Sequence, residues 1–365
     1  MDNKKKMPMR FAAIGQHIET NLPDPSAVKV SGKDWVFWGA DNAFPQYVAQ
    51  LRDSVPSLSS IISGFADYIC GDDVLLNVLM EGNRAGCVDR KGTTLAQLVR
   101  GLAEDLATYN GFALEVIRSN EGGIAELVRL AMDCVRIDKD AQAVFYSEKW
   151  ADRYNRADNI ITLPVFSNEI PQPDSVLYVK ADNYGIYPQP TCQPALIACE
   201  LERGIDEYHL NSLNNSFMGS WVINFNNGTP SQEEMDEVER TFNAKFSGKD
   251  NAGRCVFIWN ESIQNRTTME QLKTEDFGTK YEALAERSRQ QIFTAFRANP
   301  NLFGIPTASG FNSEEYESSF KLFNRTMVRP MQRLICDSFD KVLGVTGSVT
   351  FKPFSLETET ETNVQ

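Results

Sequence analysis

The sequence has 365 residues, of which 42% are hydrophobic and 23% charged, which is enough for two or three domains with ordinary cores. A formal charge of −13 opposes tight electrostatic binding to nucleic acid, so a protein that grips DNA over its whole surface is excluded. None of the seven cysteines lies in a CxxC pair and no apolar run follows the charged residues Lys4–Lys6, so we expect a reducing compartment, no signal peptide and no membrane span.

The first 190 residues predict an α+β region. Apolar residues at helical spacing predict an amphipathic helix over Leu95–Tyr109, which should stop at the turn pair Asn110-Gly111. Two strand-like runs on either side of the glycine-rich loop 120–123 predict a β-hairpin. The hairpin strands are Phe112–Arg118 and Ile124–Leu130, and further strands that could extend the sheet are Val144–Trp150, Ile160–Phe166 and Val176–Lys180.

The second half changes character and predicts long helices. The run Cys192–Phe217 has apolar residues at helical spacing, namely Ile197, Leu201, Ile205 and Tyr208, and would form a helix of roughly 39 Å. A second long helix is predicted over Phe277–Ala298, and it should end at Asn299-Pro300 because the residue before a proline disfavours the α conformation.

Between these two helices, the pattern predicts a small β-α-β insert. Its strands are Trp221–Phe225 and Arg254–Trp259. A helix should begin near Thr229 or Ser231, since both T-x-x-Q and S-x-x-E fit a capping box, and should end near Ser247-Gly248.

A third long helix is predicted from Asn312 to Leu343, with Pro330 bending it. One stripe of this helix is apolar, comprising Tyr316, Phe320, Phe323, Met327 and Leu334. The acidic, low-complexity residues 357–362 that follow predict a solvated, disordered tail.

Motifs for enzyme chemistry are weak. The sequence has two histidines and lacks HExxH, GxSxG, GxGxxG and a complete phosphate loop, so we expect no cofactor and no metal. Gly71-Asp72-Asp73 and Asp138-Lys139-Asp140 are short acidic matches that more often form turns. They leave open an alternative function, a metal-dependent nuclease or nucleotidyltransferase that uses Asp72, Asp73, Asp138 and Asp140.

An ordered set of motifs resembles a known family. The segment Trp38-Gly39-Ala40-Asp41-Asn42-Ala43-Phe44-Pro45 is followed by Tyr109-Asn110-Gly111-Phe112-Ala113, by Tyr208-His209-Leu210-Asn211, by Asn251-Ala252-Gly253-Arg254 and by Asn299-Pro300-Asn301-Leu302-Phe303-Gly304. This order, over roughly residues 35–352, resembles the short portal proteins of tailed phages and prophages. A departure from the larger portals is that little sequence follows the last helix, so we expect a minimal or absent crown.

The resemblance implies an architecture for the whole chain. It implies an N-terminal α+β wing, long stem helices that bracket a small β-α-β clip, a tunnel loop, and a long helix that returns to the wing. The implied boundaries are 1–190 for the wing, 191–218 and 277–298 for the stem helices, 219–276 for the clip, 299–312 for the tunnel loop, 313–353 for the long wing helix and terminal strand, and 354–365 for the tail.

The resemblance also implies a function without catalysis. The chain would form a ring of about twelve subunits at one capsid vertex, made in the bacterial host cytoplasm, and double-stranded DNA would pass through it during packaging and ejection. Its partners would be the major capsid protein, the terminase and a head-tail adaptor. An acidic protein suits such a conduit because repulsion keeps its wall from holding DNA. A different ring-forming head-tail connector is a further alternative.

Candidate site residues follow from this assignment. The uncharged stretch 299–312 would face the tunnel through Asn299, Asn301, Ser309 and Asn312, unless Leu302, Phe303 and Ile305 simply pack into the wing. The clip would contact the motor, the adaptor and neighbouring subunits through Trp221, Glu233, Glu237, Arg254 and Trp259.

Overall fold

A computed structural model describes residues 22–80, 86–150, 159–214, 221–225, 230–246, 255–259, 268–271, 277–305 and 313–354. It has the α+β composition that the sequence predicts, with small sheets in the N-terminal half and long helices in the C-terminal half. Among the described residues, no helix is both long and apolar enough to cross a membrane.

The N-terminal region, residues 22–190, is built on three helices. Two consecutive helices, α1 (Phe44–Ser54) and α2 (Pro56–Cys70), each carry a proline in the first turn, where the missing N–H has no intrahelical partner to lose. The predicted helix is α3 (Leu95–Tyr109), and it has the predicted bounds. Thr94 and Gln97 form a capping box at its start, and Asn110 ends it in a left-handed conformation with φ 62°.

The described strands of this region lie in four sheets, and one of these sheets also contains the last strand of the chain. The predicted hairpin is confirmed as β4 (Gly111–Arg118) and β5 (Ile124–Leu130), and β9 (Asp174–Lys180) pairs with the other edge of β4. The short strands β1 (Ala27–Lys29) and β2 (Val36–Trp38) pair with each other. Strand β3 (Asp73–Leu76) pairs with a strand near the C terminus.

The prediction that three further strands extend the hairpin sheet is right for β9 and wrong for Val144–Trp150, while the predicted strand Ile160–Phe166 joins this sheet only at its end, by a parallel bridge between Val165 and Val176 of β9. Instead, β6 (Val135–Ile137), β7 (Ala143–Tyr146) and β8 (Ile161–Pro164) make a separate antiparallel sheet. A 3-10 turn at Met132–Cys134 ends β5 and redirects the chain, so that each new strand pairs with its neighbour in sequence. Short loops cost little closure entropy, which favours this local pairing.

The helix pair and its insert follow. The first helix of the pair, α4 (Leu196–Asn214), starts after a 3-10 turn at Gln193–Ala195, later than predicted. The second is α6 (Phe277–Ala295), which ends close to the predicted position. Between them, β10 (Trp221–Phe225), α5 (Gln232–Phe246) and β11 (Cys255–Trp259) confirm the β-α-β prediction with parallel strands. The prediction missed a third strand, β12 (Thr268–Gln271), which pairs antiparallel with β10.

The C-terminal helix returns to the N-terminal region. It consists of α7 (Ser313–Phe323), a π-helical segment Asn324–Val328, and α8 (Arg329–Leu343). The π segment ends just before Pro330, which would interrupt α-helical hydrogen bonding. The irregularity of the helix near Pro330 is therefore this π-helical segment. Gln332 Nε2 donates to the carbonyl of Ile69 at the end of α2, and β13 (Val349–Lys352) pairs antiparallel with β3.

Candidate functional site

The aromatic segment that begins at Trp38 forms a buried junction between β2, α1 and the sheet of β6, β7 and β8. The Trp38 ring stacks on Tyr187 with centroids 4.5 Å apart, and Tyr109 Oη donates to the Pro45 carbonyl over 3.2 Å. Gly39 has φ 89°, and a Cβ there would lie 2.8 Å from Phe44 Cβ. The motif therefore specifies a tight turn that only glycine fits.

Arg136 of β6 holds this junction together. It has no solvent exposure, and its guanidinium donates to Asn42 Oδ1 over 2.6 Å and to the Asn42 carbonyl over 2.7 Å. It also donates to the carbonyls of Asp133 and Val135 and to Gln46 Oε1. Burial lowers the pKa of Arg136 to about 10, so the group stays charged at neutral pH. Asn42 Oδ1 also accepts from the Trp38 amide, which explains why this motif needs asparagine.

Helix α4 is seated on the N-terminal region by polar contacts on one side. Tyr47 Oη donates to Glu200 Oε1 over 2.8 Å. The amide and hydroxyl of Ser57, in the first turn of α2, both donate to Glu202 Oε1. A carboxylate at a helix N-terminus satisfies free amides and complements the helix dipole, so these contacts fix the start of α4.

The other side of α4 exposes large apolar side chains. Ile197 is 62% exposed, and Leu201 and Tyr208 on the same side are exposed as well, whereas the exposed Leu210 lies on a different side of the helix. Of the predicted apolar positions, Ile205 alone is buried. The predicted stripe therefore lies largely in solvent, while Leu196, Ala198 and Cys199 make the buried side.

Helix α6 packs along α4. The Tyr208 and Tyr281 rings lie 5.0 Å apart, and the His209 ring lies 5.7 Å from Tyr281, so the histidine belongs to an aromatic contact between the two helices. The buried side of α6 comprises Ser288, Ile292, Phe293 and Phe296.

The predicted insert residues occupy several places. Glu233 and Glu237 are exposed on α5, whose first turn Ser231 and Glu234 close as a capping box. Trp221 begins β10 opposite Cys255 and Gln271, and Trp259 ends β11, half-buried. Arg254 and Thr229 lie outside the described residues. The acidic face of α5 and the outer edges of β11 and β12 are thus the surfaces that the insert offers.

The first part of the stretch 299–312 packs into the interior. Asn299 caps a 3-10 turn at Pro300–Phe303 and donates to Ser319 Oγ over 3.1 Å. Asn301 is 8% exposed, the Leu302 carbonyl accepts from Tyr68 Oη, and the Phe303 ring contacts Phe293 and Phe323. Ser309 and Asn312 lie outside the described residues.

The acidic residues of the enzyme alternative sit in two separate elements. Asp73 lies in β3 opposite Lys352, whereas Asp138 lies in the turn between β6 and β7. Asp138 accepts from the amides of Gln142 and Ala143, so it serves the turn. In the described parts of the chain, no group of three or more potential metal ligands is present.

Comparison with known proteins identifies the class. The sequence profile described as "Phage portal protein" matches residues 90–363, about three quarters of the chain. The chain belongs to the phage portal protein family. Phage portal proteins are structural proteins, and the enzyme alternative is accordingly disfavoured. A comparison with curated protein sequences gives no match.

Solved structures share the fold. One is a chain in the neck of a native gene transfer agent particle computed with C12 symmetry, with 17% identity, a TM-score of 0.56, and coverage of 85% of this chain and 84% of that chain. Another is an HK97 family phage portal protein from Corynebacterium diphtheriae, with 11% identity, a TM-score of 0.53, and coverage of 83% and 95%. At these identities the likeness establishes the fold alone.

Proposed function

We propose that this portal protein forms a ring of about twelve subunits at one vertex of a virion, through which double-stranded DNA enters and leaves. The observation that carries the proposal is the apolar side of α4, where Ile197, Leu201 and Tyr208 are exposed in the single chain. Contiguous exposed apolar surface marks an interface between proteins, and a ring would cover it with a neighbouring subunit. Support comes from the similar chain in a particle neck computed with C12 symmetry.

Images of the purified protein test this proposal. Negative-stain micrographs and light scattering should show closed rings of about twelve subunits. The double variant Ile197→Ser/Leu201→Ser should shift the protein toward monomers. A matched variant with equally exposed apolar residues elsewhere, Ile161→Ser/Ile170→Ser, should still form rings. A wild-type protein that stays monomeric at all concentrations and salts, even inside assembling heads, contradicts the proposal.

We further propose that the insert, residues 219–276, docks the terminase and the head-tail adaptor. Its exposed acidic helix α5 and the outer edges of β11 and β12, which pair with no other described strand, are surfaces that a partner can recognise by charge and by strand pairing. Glu233→Lys/Glu237→Lys should abolish terminase binding in a pull-down while rings still form. Glu314→Lys/Glu317→Lys, exposed acids on α7, should leave terminase binding unchanged. Undiminished binding by the insert variant argues against the docking role.

The tunnel loop is also a proposal, and the burial of Asn301 narrows it. A side chain that is 8% exposed within its own subunit is a poor candidate for contacting DNA, so the contact falls to Ser309 and Asn312. Ser309→Lys/Asn312→Lys would place a cationic ring beside phosphate and should slow packaging in a salt-dependent way. Ser318→Lys, on the exposed side of α7, is the control. Wild-type packaging rates in intact rings of the double variant would remove these residues from the tunnel.

A further inference from the structure

The C-terminal helix carries a cationic stretch, although the chain as a whole is acidic. Over residues 321–333 the charged residues are Lys321, Arg325, Arg329 and Arg333, with no aspartate or glutamate among them. All four side chains are exposed. In a chain whose formal charge is −13, thirteen consecutive residues with four positive charges form a local exception.

The π-helical segment brings these four residues onto one face. In an uninterrupted α-helix, residues four apart drift by about 40° per step, so the four would fan out over about 120°. The segment Asn324–Val328 instead turns by about 82° per residue, because a π-helix has about 4.4 residues per turn, and this opposes the drift. The four cations then lie within about 60° of one another, along about 18 Å of helix.

The arginines of this face are available to a ligand. Within the described residues, Arg325, Arg329 and Arg333 make no ion pair, whereas Lys321 pairs with Glu317 over 3.3 Å. Acidic residues on the neighbouring elements have other contacts. Asp73 Oδ1 accepts from the Val74 amide, and Asp67 pairs with Arg100.

We propose that this cationic face, defined as Lys321, Arg325, Arg329 and Arg333, binds the phosphodiester backbone of duplex DNA. The planar guanidinium group makes two parallel hydrogen bonds to a phosphate, and its charge persists at any physiological pH. A straight row about 18 Å long can contact a few successive phosphates of one strand. The inference goes beyond the proposed function, which assigns DNA contact to the tunnel loop, and it concerns sequence-independent binding.

Fluorescence anisotropy with a labelled 30-base-pair duplex of random sequence tests the inference on the full chain. Binding by the wild type should weaken as salt rises from 50 to 200 mM. Arg325→Gln/Arg329→Gln/Arg333→Gln should lower the slope of log K against log salt by about three, since each lost phosphate contact removes about one. At 50 mM salt, the affinity should fall by at least tenfold.

A charge-matched variant serves as the control. Arg90→Gln/Lys91→Gln/Lys139→Gln removes three exposed positive charges from the N-terminal region, and it should retain the wild-type slope. An equal loss of affinity in this control would mean that net charge alone governs binding, and an unchanged triple arginine variant would mean that the face does not bind DNA. Either result overturns the inference.

Ring assembly separates this inference from the proposed function. If the arginine variant binds DNA like the wild type but no longer forms rings, the face contacts acidic side chains of a neighbouring copy, and the DNA inference is wrong. If rings form normally and only DNA binding is lost, the inference stands. A wild type that forms no rings refutes the proposed function, whereas the anisotropy result still decides the DNA inference on its own.

Discussion

The N-terminal region buries its apolar residues, whereas helix α4 of the pair α4 and α6 exposes several of them. In the N-terminal region, aromatic and aliphatic side chains converge on a buried junction in which Trp38, Tyr109 and Tyr187 touch one another. In α4, residues of the same kind lie in solvent on one side of the helix. The N-terminal region thus supplies most of the buried apolar contacts that stabilise the subunit. The helix pair exposes apolar surface, which we propose contacts a neighbouring subunit.

Removing Arg136 should have the largest effect on this comparison. Arg136→Ala would remove the guanidinium donors of the Asn42 and Val135 carbonyls, would take one of two donors from Asn42 Oδ1, and would open a cavity under Trp150. We expect the free energy of unfolding to fall by about 3–5 kcal/mol, as when one partner of a buried charged network is lost. Chemical denaturation measures it, and Lys139→Ala, an exposed residue of the same region, should change it by less than about 0.5 kcal/mol. Similar values for both would show that the junction is not the centre of stability.

Asp105 offers a second test within one helix. It is fully buried and accepts two hydrogen bonds from Arg129, of 2.7 and 2.8 Å. Asp105→Ala should destabilise the subunit by about 2–4 kcal/mol because the partly buried guanidinium loses its partner. Its neighbour Glu104 pairs with Arg100 in solvent, so Glu104→Ala should cost less than about 1 kcal/mol. Equal losses would contradict the ranking by burial.

Gly39 tests whether the turn after β2 is limited by space or by backbone conformation. Gly39→Ala meets Phe44 Cβ and the Asp24 carbonyl and also strains a left-handed φ of 89°, so it should cost about 2–4 kcal/mol. Gly32 has a similar φ of 78° with open space around it, so Gly32→Ala should cost only about 1–2 kcal/mol. If Gly39→Ala and Gly32→Ala lower the melting temperature equally, the cost at Gly39 comes from backbone conformation alone.

Glu115 of β4 should make stability depend on pH. Burial, with the charge of Asp174 nearby, raises the pKa of Glu115 from 4.5 to about 7. A raised pKa in the folded state favours folding below pH 4.5, and this contribution is lost as pH rises through 7. Glu115→Gln should therefore remove a decline in melting temperature between about pH 4.5 and 7 and be more stable than wild type at pH 8. Glu121→Gln, in the exposed hairpin loop, should keep the wild-type profile.

The smallest effect belongs to the helix pair. Ile197→Ser changes a side chain that is 62% exposed, so the unfolding free energy of an isolated subunit should change by less than about 0.5 kcal/mol. Under assembling conditions, the same substitution should weaken self-association. A large loss of subunit stability would show that this side of α4 contributes to the fold of the single chain, and the contrast between the two regions would fail.

Local signals in the sequence determined much of the fold. Leu95–Tyr109 was predicted to the residue because its apolar stripe stops at the Asn110-Gly111 turn, and the structure adds a capping box of Thr94 and Gln97 at its start. The β-α-β insert was predicted for the same kind of reason, since strand runs and a helix start are local features. The portal family was also recognisable from an ordered set of short motifs, and the family profile matches residues 90–363.

Tertiary structure decided which side of each element is buried. The apolar spacing of Ile197, Leu201 and Tyr208 indicated a helix, but periodicity is the same whether the stripe meets its own chain or another. The burial of Asn301, the extra strand Thr268–Gln271 and the split into two small sheets likewise depend on which surfaces meet. Arg136 had no signal in the sequence, because three of its five acceptors belong to Asn42 and Gln46, which are 94 and 90 residues away in the chain and come within hydrogen-bond distance only on folding.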